Sequence, residues 1–223
     1  MKALAILASV FLSMNKIILF FILLFFLALE GKCQINVDSI AIHYSTNNGH
    51  SEYHNLLVRL QALDSALVKQ DFIALYYGSV SQPNFNAAHI DSIENTIKEY
   101  NLLQEFMSAY ELADSLLVFY PVSITAYFEK TFACYGLKRE SEEVISKQKY
   151  MIFSKCVLSS GNGSKELPFQ IAVYNDAIEI VKHLQLKYTL LTQEENDTRI
   201  VVELKKKYQG ENKMYFRLVR LNK

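Results

Sequence analysis

The sequence predicts an α+β fold in which N-terminal helical hairpins of tetratricopeptide-like type are followed by a small antiparallel sheet. Three observations carry this. Apolar residues recur at three- and four-residue steps from Leu56 to the glycines near residue 161. Proline and glycine cut that stretch into helix-length pieces. Beyond Pro168 the period shortens toward two. A helical run that hands over to strands is the signature of α+β layering.

Each element follows in order. Residues 34–54 are polar and weakly patterned and read as an arm. In "NLLVRLQALDSALVKQ", Leu56, Leu57, Leu60, Leu63, Ala66 and Leu67 form one helical face, interrupted at Asp64-Ser65. "DFIALYYG" predicts a short helix capped by Asp71 or Gln70 and ended by Gly78 in the left-handed conformation that glycine adopts cheaply. Between Asn86 and Tyr120 two stripes appear, one of Ile90, Ile93, Ile97 and Tyr100, the other of Phe106, Tyr110, Ala113, Leu116, Leu117 and Tyr120. Pro121 stops that run, Ser123 caps the next helix, and Gly136 closes it. "ESEEVISKQKYMIFSKCVLSSG" carries its acids in the first turn, as the helix dipole favours, and ends at Gly161. The small residues Ala109, Ala113, Ala126 and Ala133 permit close helix approach, although no full tetratricopeptide consensus is present. In the C-terminal region, 162–223, "DAIEIVKHL" is a short helix. "FQIAVYN", "KYTLLTQ", "RIVVELKKKY" and "MYFRLVRL" are strands, and the last three form a meander. The organisation is then a leader at 1–33, an arm at 34–54, helices at 55–161 and a small α+β region continuous with them.

The leader has its own chemistry. Ile17 to Leu29, "IILFFILLFFLAL", is an apolar run behind Lys16. It is shorter than the roughly 20 residues of a membrane span and fits the apolar region of a secretory signal. Gly31-Lys32-Cys33 places cleavage between Cys33 and Gln34; Met14 is an alternative start, and an uncleaved anchor is the alternative outcome. Membrane contact is expected only through this segment if it is retained. Lys32 beside Cys33 disfavours a lipid-attachment signal. Removing residues 1–33 takes three lysines and one glutamate from totals of 23 basic and 23 acidic residues, leaving a net charge of −2. That balance gives no footprint for nucleic acid. Cys134 and Cys156 both fall in helical patterns, and whether they pair stays open.

The leucine helix leading into "DSALVKQDFIALYYG", the turn "SSGNGS", and the strand-rich end with "ENDTRIVVEL" and "KMYFRLV" together resemble a domain-of-unknown-function family, the 4919 family, of exported Bacteroidota proteins. Threonines are more usual in that family where this chain has Ser65-Ala66. The resemblance implies an exported protein of unassigned activity and carries over no catalytic residues.

Three groups of residues invite a functional reading. Tyr76, Tyr77 and Gly78 could line a ligand or partner surface, or lock a helix onto the core. Successive side chains diverge by about 100°, so one ring is expected inside with its hydroxyl bonded and the other on the rim. Asp176, Glu179 and His183 lie at helical spacing, and a carboxylate–histidine pair could do acid–base work in a small hydrolase. His50 and His54 stand four apart but lack the adjacent glutamate of a zinc-protease helix, so no metal is assigned. "SSGNGS" follows a helix and precedes a strand, the reverse of a phosphate-binding loop, and reads as a helix cap and turn. Lys205-Lys206-Lys207 reads as a solvated strand edge. No residue pattern requires a cofactor. The leading expectation is a non-enzymatic module that binds another envelope protein or a peptide on its helical hairpins; carriage of a small apolar ligand is a further alternative.

Overall fold

The computed structural model of the chain describes residues 35–193 and 198–221. The leader, the cleavage position before Gln34 and most of the turn at 194–198 lie outside the described residues. Seven helices come first: α1 (Val37–Tyr44), α2 (Asn47–Gln61), α3 (Lys69–Gly78), α4 (Ala87–Leu102), α5 (Phe106–Phe119), α6 (Ile124–Leu137) and α7 (Glu140–Leu158). A single 3-10 turn, Ser79–Ser81, prolongs α3. Then follow β1 (Phe169–Ile171), α8 (Asn175–His183), β2 (Tyr188–Gln193), β3 (Arg199–Tyr208) and β4 (Glu211–Leu218). The fold is α+β. Among the described residues no helix is long and apolar enough to cross a membrane.

The expected polar arm is helical instead. Asn36 caps α1 by accepting from the Ser39 N–H at 3.0 Å, and Thr46 caps α2 by accepting from the Gly49 N–H at 3.0 Å. Such caps satisfy donors that a helix start leaves orphaned. Only Val37 and Ala41 of α1 are buried, too few to mark a stripe in the sequence. The helix is tied down from outside, where the Arg217 guanidinium on β4 donates to both carboxylate oxygens of Asp38 at 2.9 and 3.0 Å.

Consecutive helices pack as hairpins, α4 on α5, α5 on α6 and α6 on α7, with α4 also reaching α6. The connections are three or four residues long in the first two cases, which turns each helix back on its predecessor. Helix α3 ends at Gly78 as predicted, but not through a left-handed glycine. Gly78 is right-handed, with φ −69°. A Cβ there would lie 2.8 Å from the Tyr44 ring and 3.1 Å from that of Tyr53, so glycine lets α1 and α2 close on α3. Gly136 lies inside α6, and a Cβ would sit 2.4 Å from the Phe106 ring. Four helices end in the same two-bond motif, the N–H of one residue reaching back five and the N–H before it reaching back three. The left-handed residue is Leu63 after α2, Gln104 after α4, Lys138 after α6 and Gln185 after α8. The longer bonds are Asp64 to Arg59, Glu105 to Tyr100, Arg139 to Cys134 and Leu186 to Val181. None of these four positions is glycine.

The sheet has the order β1-β4-β3-β2 and is mixed. The β2-β3-β4 meander is antiparallel as predicted, while β1 adds in parallel on β4, with Phe169 opposite Phe216 and Ile171 opposite Leu218. A parallel neighbour needs a crossover rather than a hairpin, and the chain between β1 and β4 supplies one. The three residues of β1 are all buried, so they do not alternate. β3 is an interior strand, and Lys205 to Lys207 are exposed on the hairpin it forms rather than along a sheet edge. Ile200, Val202, Met214, Phe216 and Leu218 line the inner face and join the helical core in one cluster. "SSGNGS" takes the cap-and-turn role. The Ser160 hydroxyl donates to the Val157 carbonyl at 2.6 Å and accepts from the Gln170 N–H at 2.8 Å, joining the end of α7 to β1. Cys134 and Cys156 are both buried and free.

Candidate functional site

Tyr76 and Tyr77 are both fully buried, against the expectation of one ring on the rim. The rings meet edge to face at 4.8 Å, so adjacent residues on α3 share one pocket of the core. The α3 helix is enclosed on both sides, by α1 and α2 on one and by α7 and the sheet on the other, which leaves no rim for either ring. The Tyr77 hydroxyl donates to the Gln170 carbonyl of β1 at 3.1 Å. The Tyr76 hydroxyl donates to Asp176 Oδ2 at 2.5 Å and accepts from the Ala172 N–H at 3.1 Å. The two tyrosines tie α3 to β1 and the residues after it, Gly78 admits α1 and α2 on the other side, and all three are buried.

Tyr76 opens onto a buried polar junction. Asp176 and Glu94 are both inaccessible to solvent. Glu94, from α4, accepts from the Ser123 hydroxyl at 2.6 Å and from Asn175 Nδ2 at 3.0 Å. Asp91, one turn earlier, accepts from the N–H groups of Asn175 (2.9 Å) and Tyr174 (3.3 Å), capping α8 from another helix. α8 has no side-chain cap of its own. An acid at that end also suits the positive pole of the helix. Burial, and then the neighbouring Asp176, pushes the Glu94 carboxyl up to about 8. Burial pushes Asp176 up to about 7 against the opposing hydrogen bond from Tyr76. Asp91 is raised too, by burial. Hydroxyls and amides rather than cations satisfy Glu94 and Asp176, so both favour the protonated form near neutrality.

The acid–base triplet is not assembled. Asp176 is engaged by Tyr76, whereas Glu179, buried on the same helix, pairs with Lys182 at 2.9 Å and Lys98 at 3.5 Å. His183 sits half-buried with its ring 5.4 Å from that of Tyr150, and burial lowers its pKa. The imidazole and the two carboxylates therefore serve three different neighbours. On α2, His50 approaches the Gln82 amide at 3.3 Å, and among the described residues no cluster of histidine, cysteine and acids has the makings of a metal site. In the sequence, Glu94, Asp91 and Asn175 carry no functional reading, and Ser123 reads only as a helix cap, which it also is, accepting from the Ala126 N–H at 2.8 Å. One signal was present. Glu94 falls between Ile90 and Ile97 on the apolar stripe of α4, where an acid is unexpected.

The exposed counterpart runs along α7. Three hollows, of about 490, 370 and 560 Å³, join end to end because they share walls: Leu60, Ile145 and Lys149 between the first two, Phe72 and Ile152 between the second and third. The α7 residues that line them extend from Ile145 to Ser159, about 21 Å at 1.5 Å per residue. Opposite stand Leu117 and Val118 of α5, Leu63 and Leu67 of the α2–α3 connection, and Phe72 of α3. Two acids on this surface are already occupied: Asp64 with Arg59 at 2.7 Å, and Asp114 with Lys130. Lys69, Lys149 and Lys155 remain without a carboxylate partner among the described residues. Lys149 has its ammonium 5.5 Å from the Tyr127 ring, and its pKa is lowered by burial and then by the nearby Lys130.

A family model, Domain of unknown function (DUF4919), matches residues 39–223. The chain belongs to this family. The match takes in every helix and strand described above except the first two residues of α1, so the junction and the groove are both features of a DUF4919 domain. No curated protein and no solved structure matches the chain.

Proposed function

We propose that this protein is an exported, non-enzymatic interaction module of a bacterial cell envelope. Its α7 groove would hold an apolar stretch of polypeptide flanked by acidic residues, supplied by another envelope protein. The observation that supports this reading is the set of three lysines, Lys69, Lys149 and Lys155, around an apolar groove, none of them paired with a carboxylate among the described residues. A cation that burial already disfavours gains most from an incoming anion, which gives the groove a preference as well as an affinity. Length fits too: about 21 Å spans roughly six residues of extended chain at 3.3 Å each, or four turns of helix. Apolar grooves of this kind receive amphipathic segments through a few anchor side chains. Export is supported by the pattern at residues 17–33, an apolar run ending in small residues.

The test is fluorescence anisotropy with a labelled peptide that places leucines at helical spacing among glutamates, and with a counterpart in which lysines replace the glutamates. The acidic peptide is expected to bind, more weakly at high salt, and the double variant Lys149→Glu/Lys155→Glu to weaken it at least tenfold with unchanged thermal unfolding. Equal binding of the basic peptide would remove the charge argument. A self-associating chain whose dimer is lost on Ile152→Glu would make a second copy the occupant instead. N-terminal sequencing of the exported protein is expected to begin at Gln34.

A further inference from the structure

On the far side of Pro121 from the groove lies a separate pocket of about 180 Å³, between α2, the turn after α3 and the α5–α6 corner. Four aromatic rings line it, Tyr53, Phe85, Phe119 and Tyr120. Tyr53 and Tyr120 are the buried inner wall, while Phe119, 46% exposed, stands at the mouth. Phe85 and Tyr120 meet at 5.9 Å with their planes 51° apart, so they present angled rather than parallel faces. None of the lining residues is Asp, Glu, Lys or Arg. The Tyr120 hydroxyl lies beside Ser79 without completing a hydrogen bond of good geometry, and the Ser79 hydroxyl donates to the Tyr76 carbonyl at 2.7 Å.

We propose that this pocket binds a small organic cation, a quaternary ammonium group. The volume excludes most drug-sized ligands, whose sites run from about 300 Å³ upward, and admits a headgroup of four or five carbons. Ring faces carry negative electrostatic potential and attract a cation, most strongly when water is excluded. No lysine or arginine lines the pocket to compete with an incoming cation; its polar part is His54, Ser79, Gln82 and Asn84. A primary ammonium would also need acceptors for its three N–H groups. The Gln82 amide is already engaged with the Gly78 carbonyl at 2.9 Å and with His50 at 3.3 Å. A methylated ammonium asks for no acceptor. This inference does not rest on the groove and concerns a different surface.

The test is calorimetric titration of the protein with choline chloride and, in parallel, with 3,3-dimethylbutan-1-ol, which has the same shape and no charge. Choline is expected to bind at one site and the neutral isostere at least tenfold more weakly. Phe119→Ala, at the exposed mouth, should weaken choline several-fold without shifting thermal unfolding, and Phe85→Leu should do the same. Cosedimentation with phosphatidylcholine vesicles, competed by choline, would assign the cation to a lipid headgroup; choline binding without cosedimentation would assign a free solute. Equal affinity for the two probes, no choline binding, or binding indifferent to both substitutions would each overturn the proposal.

Discussion

The junction beneath Tyr76 and the groove along α7 invert each other's electrostatics. Inside, Glu94 and Asp176 are acids without a cationic partner, satisfied by hydroxyls, amides and backbone N–H groups and held toward their neutral forms by burial. Outside, Lys69, Lys149 and Lys155 are cations without an anionic partner among the described residues, set around apolar side chains. The junction avoids charge by keeping protons, and water cannot reach it. The groove keeps its charge and stays open. A buried polar network fixes one arrangement of the elements around it, and of the four carboxylate oxygens of Glu94 and Asp176, Oδ1 of Asp176 has no hydrogen-bond partner among the described residues. An exposed set of unpaired charges is free to be completed by something else. The contrast separates what holds the fold from what the fold can offer.

The largest expected effect breaks the interior side. Tyr77→Ala removes a wholly buried ring and its bond to β1, and comparable aromatic truncations cost about 3–5 kcal/mol. At about 2–4 °C per kcal/mol for a domain of this size, thermal unfolding should fall by roughly 10 °C. Ile152→Ala in the half-buried groove wall should cost about 1 kcal/mol or less and leave unfolding nearly unmoved. Equal losses at the two positions would erase the distinction between the regions. Tyr76→Phe lies between: it strips Asp176 of a donor and the Ala172 N–H of its acceptor, a loss of about 1–3 kcal/mol.

A pH titration sharpens the same comparison. An unfolded aspartate or glutamate titrates near 4, whereas in the folded chain Asp176 titrates near 7 and Glu94 near 8. Between about pH 4 and 8 the folded state therefore binds more protons than the unfolded one. The unfolding free energy falls as pH rises through that window and levels off above it. Calorimetric unfolding should show a lower transition temperature at pH 9 than at pH 5, by several degrees, and Glu94→Gln should shrink that difference. A transition that rose across the same window would mean that both acids ionise without cost, and the junction would need a cation.

The fold was legible where period decides and obscure where packing decides. The leucines of α2, the stripes of α4 and α5 and the β2-β3-β4 meander follow from spacing alone. The parallel addition of β1 does not, because three buried residues carry no period. The arm at 34–54 misled because α1 is held by Asn36 and by an arginine 179 residues away rather than by a stripe. The junction was half-visible: Asp176 was singled out, but as a partner for His183. Its real partner, Tyr76, stands 100 residues earlier, a distance no local pattern spans.

Glycine misled most consistently, and the reason yields the smallest and cleanest test. Gly78 and Gly136 read as left-handed helix terminators in the sequence; Gly78 does stand at the end of α3, but both are spent on ring contact, with an added Cβ 2.8 Å from Tyr44 and 2.4 Å from Phe106. The left-handed positions went to Leu63, Gln104, Lys138 and Gln185. A non-glycine residue there is strained by roughly 1–2 kcal/mol, partly offset because glycine has more freedom to lose on folding. Gln104 is exposed between α4 and α5 at φ 61°, so Gln104→Gly relieves the backbone and disturbs no core contact. It should stabilise the chain by up to about 1 kcal/mol, measured by urea unfolding with an unchanged m-value. Gly78→Ala, the opposite exchange, should destabilise through Tyr44 and Tyr53 although its backbone angles suit alanine. If the two substitutions moved stability in the same direction, helix ends and ring contacts would not be the separate uses of glycine that this packing requires.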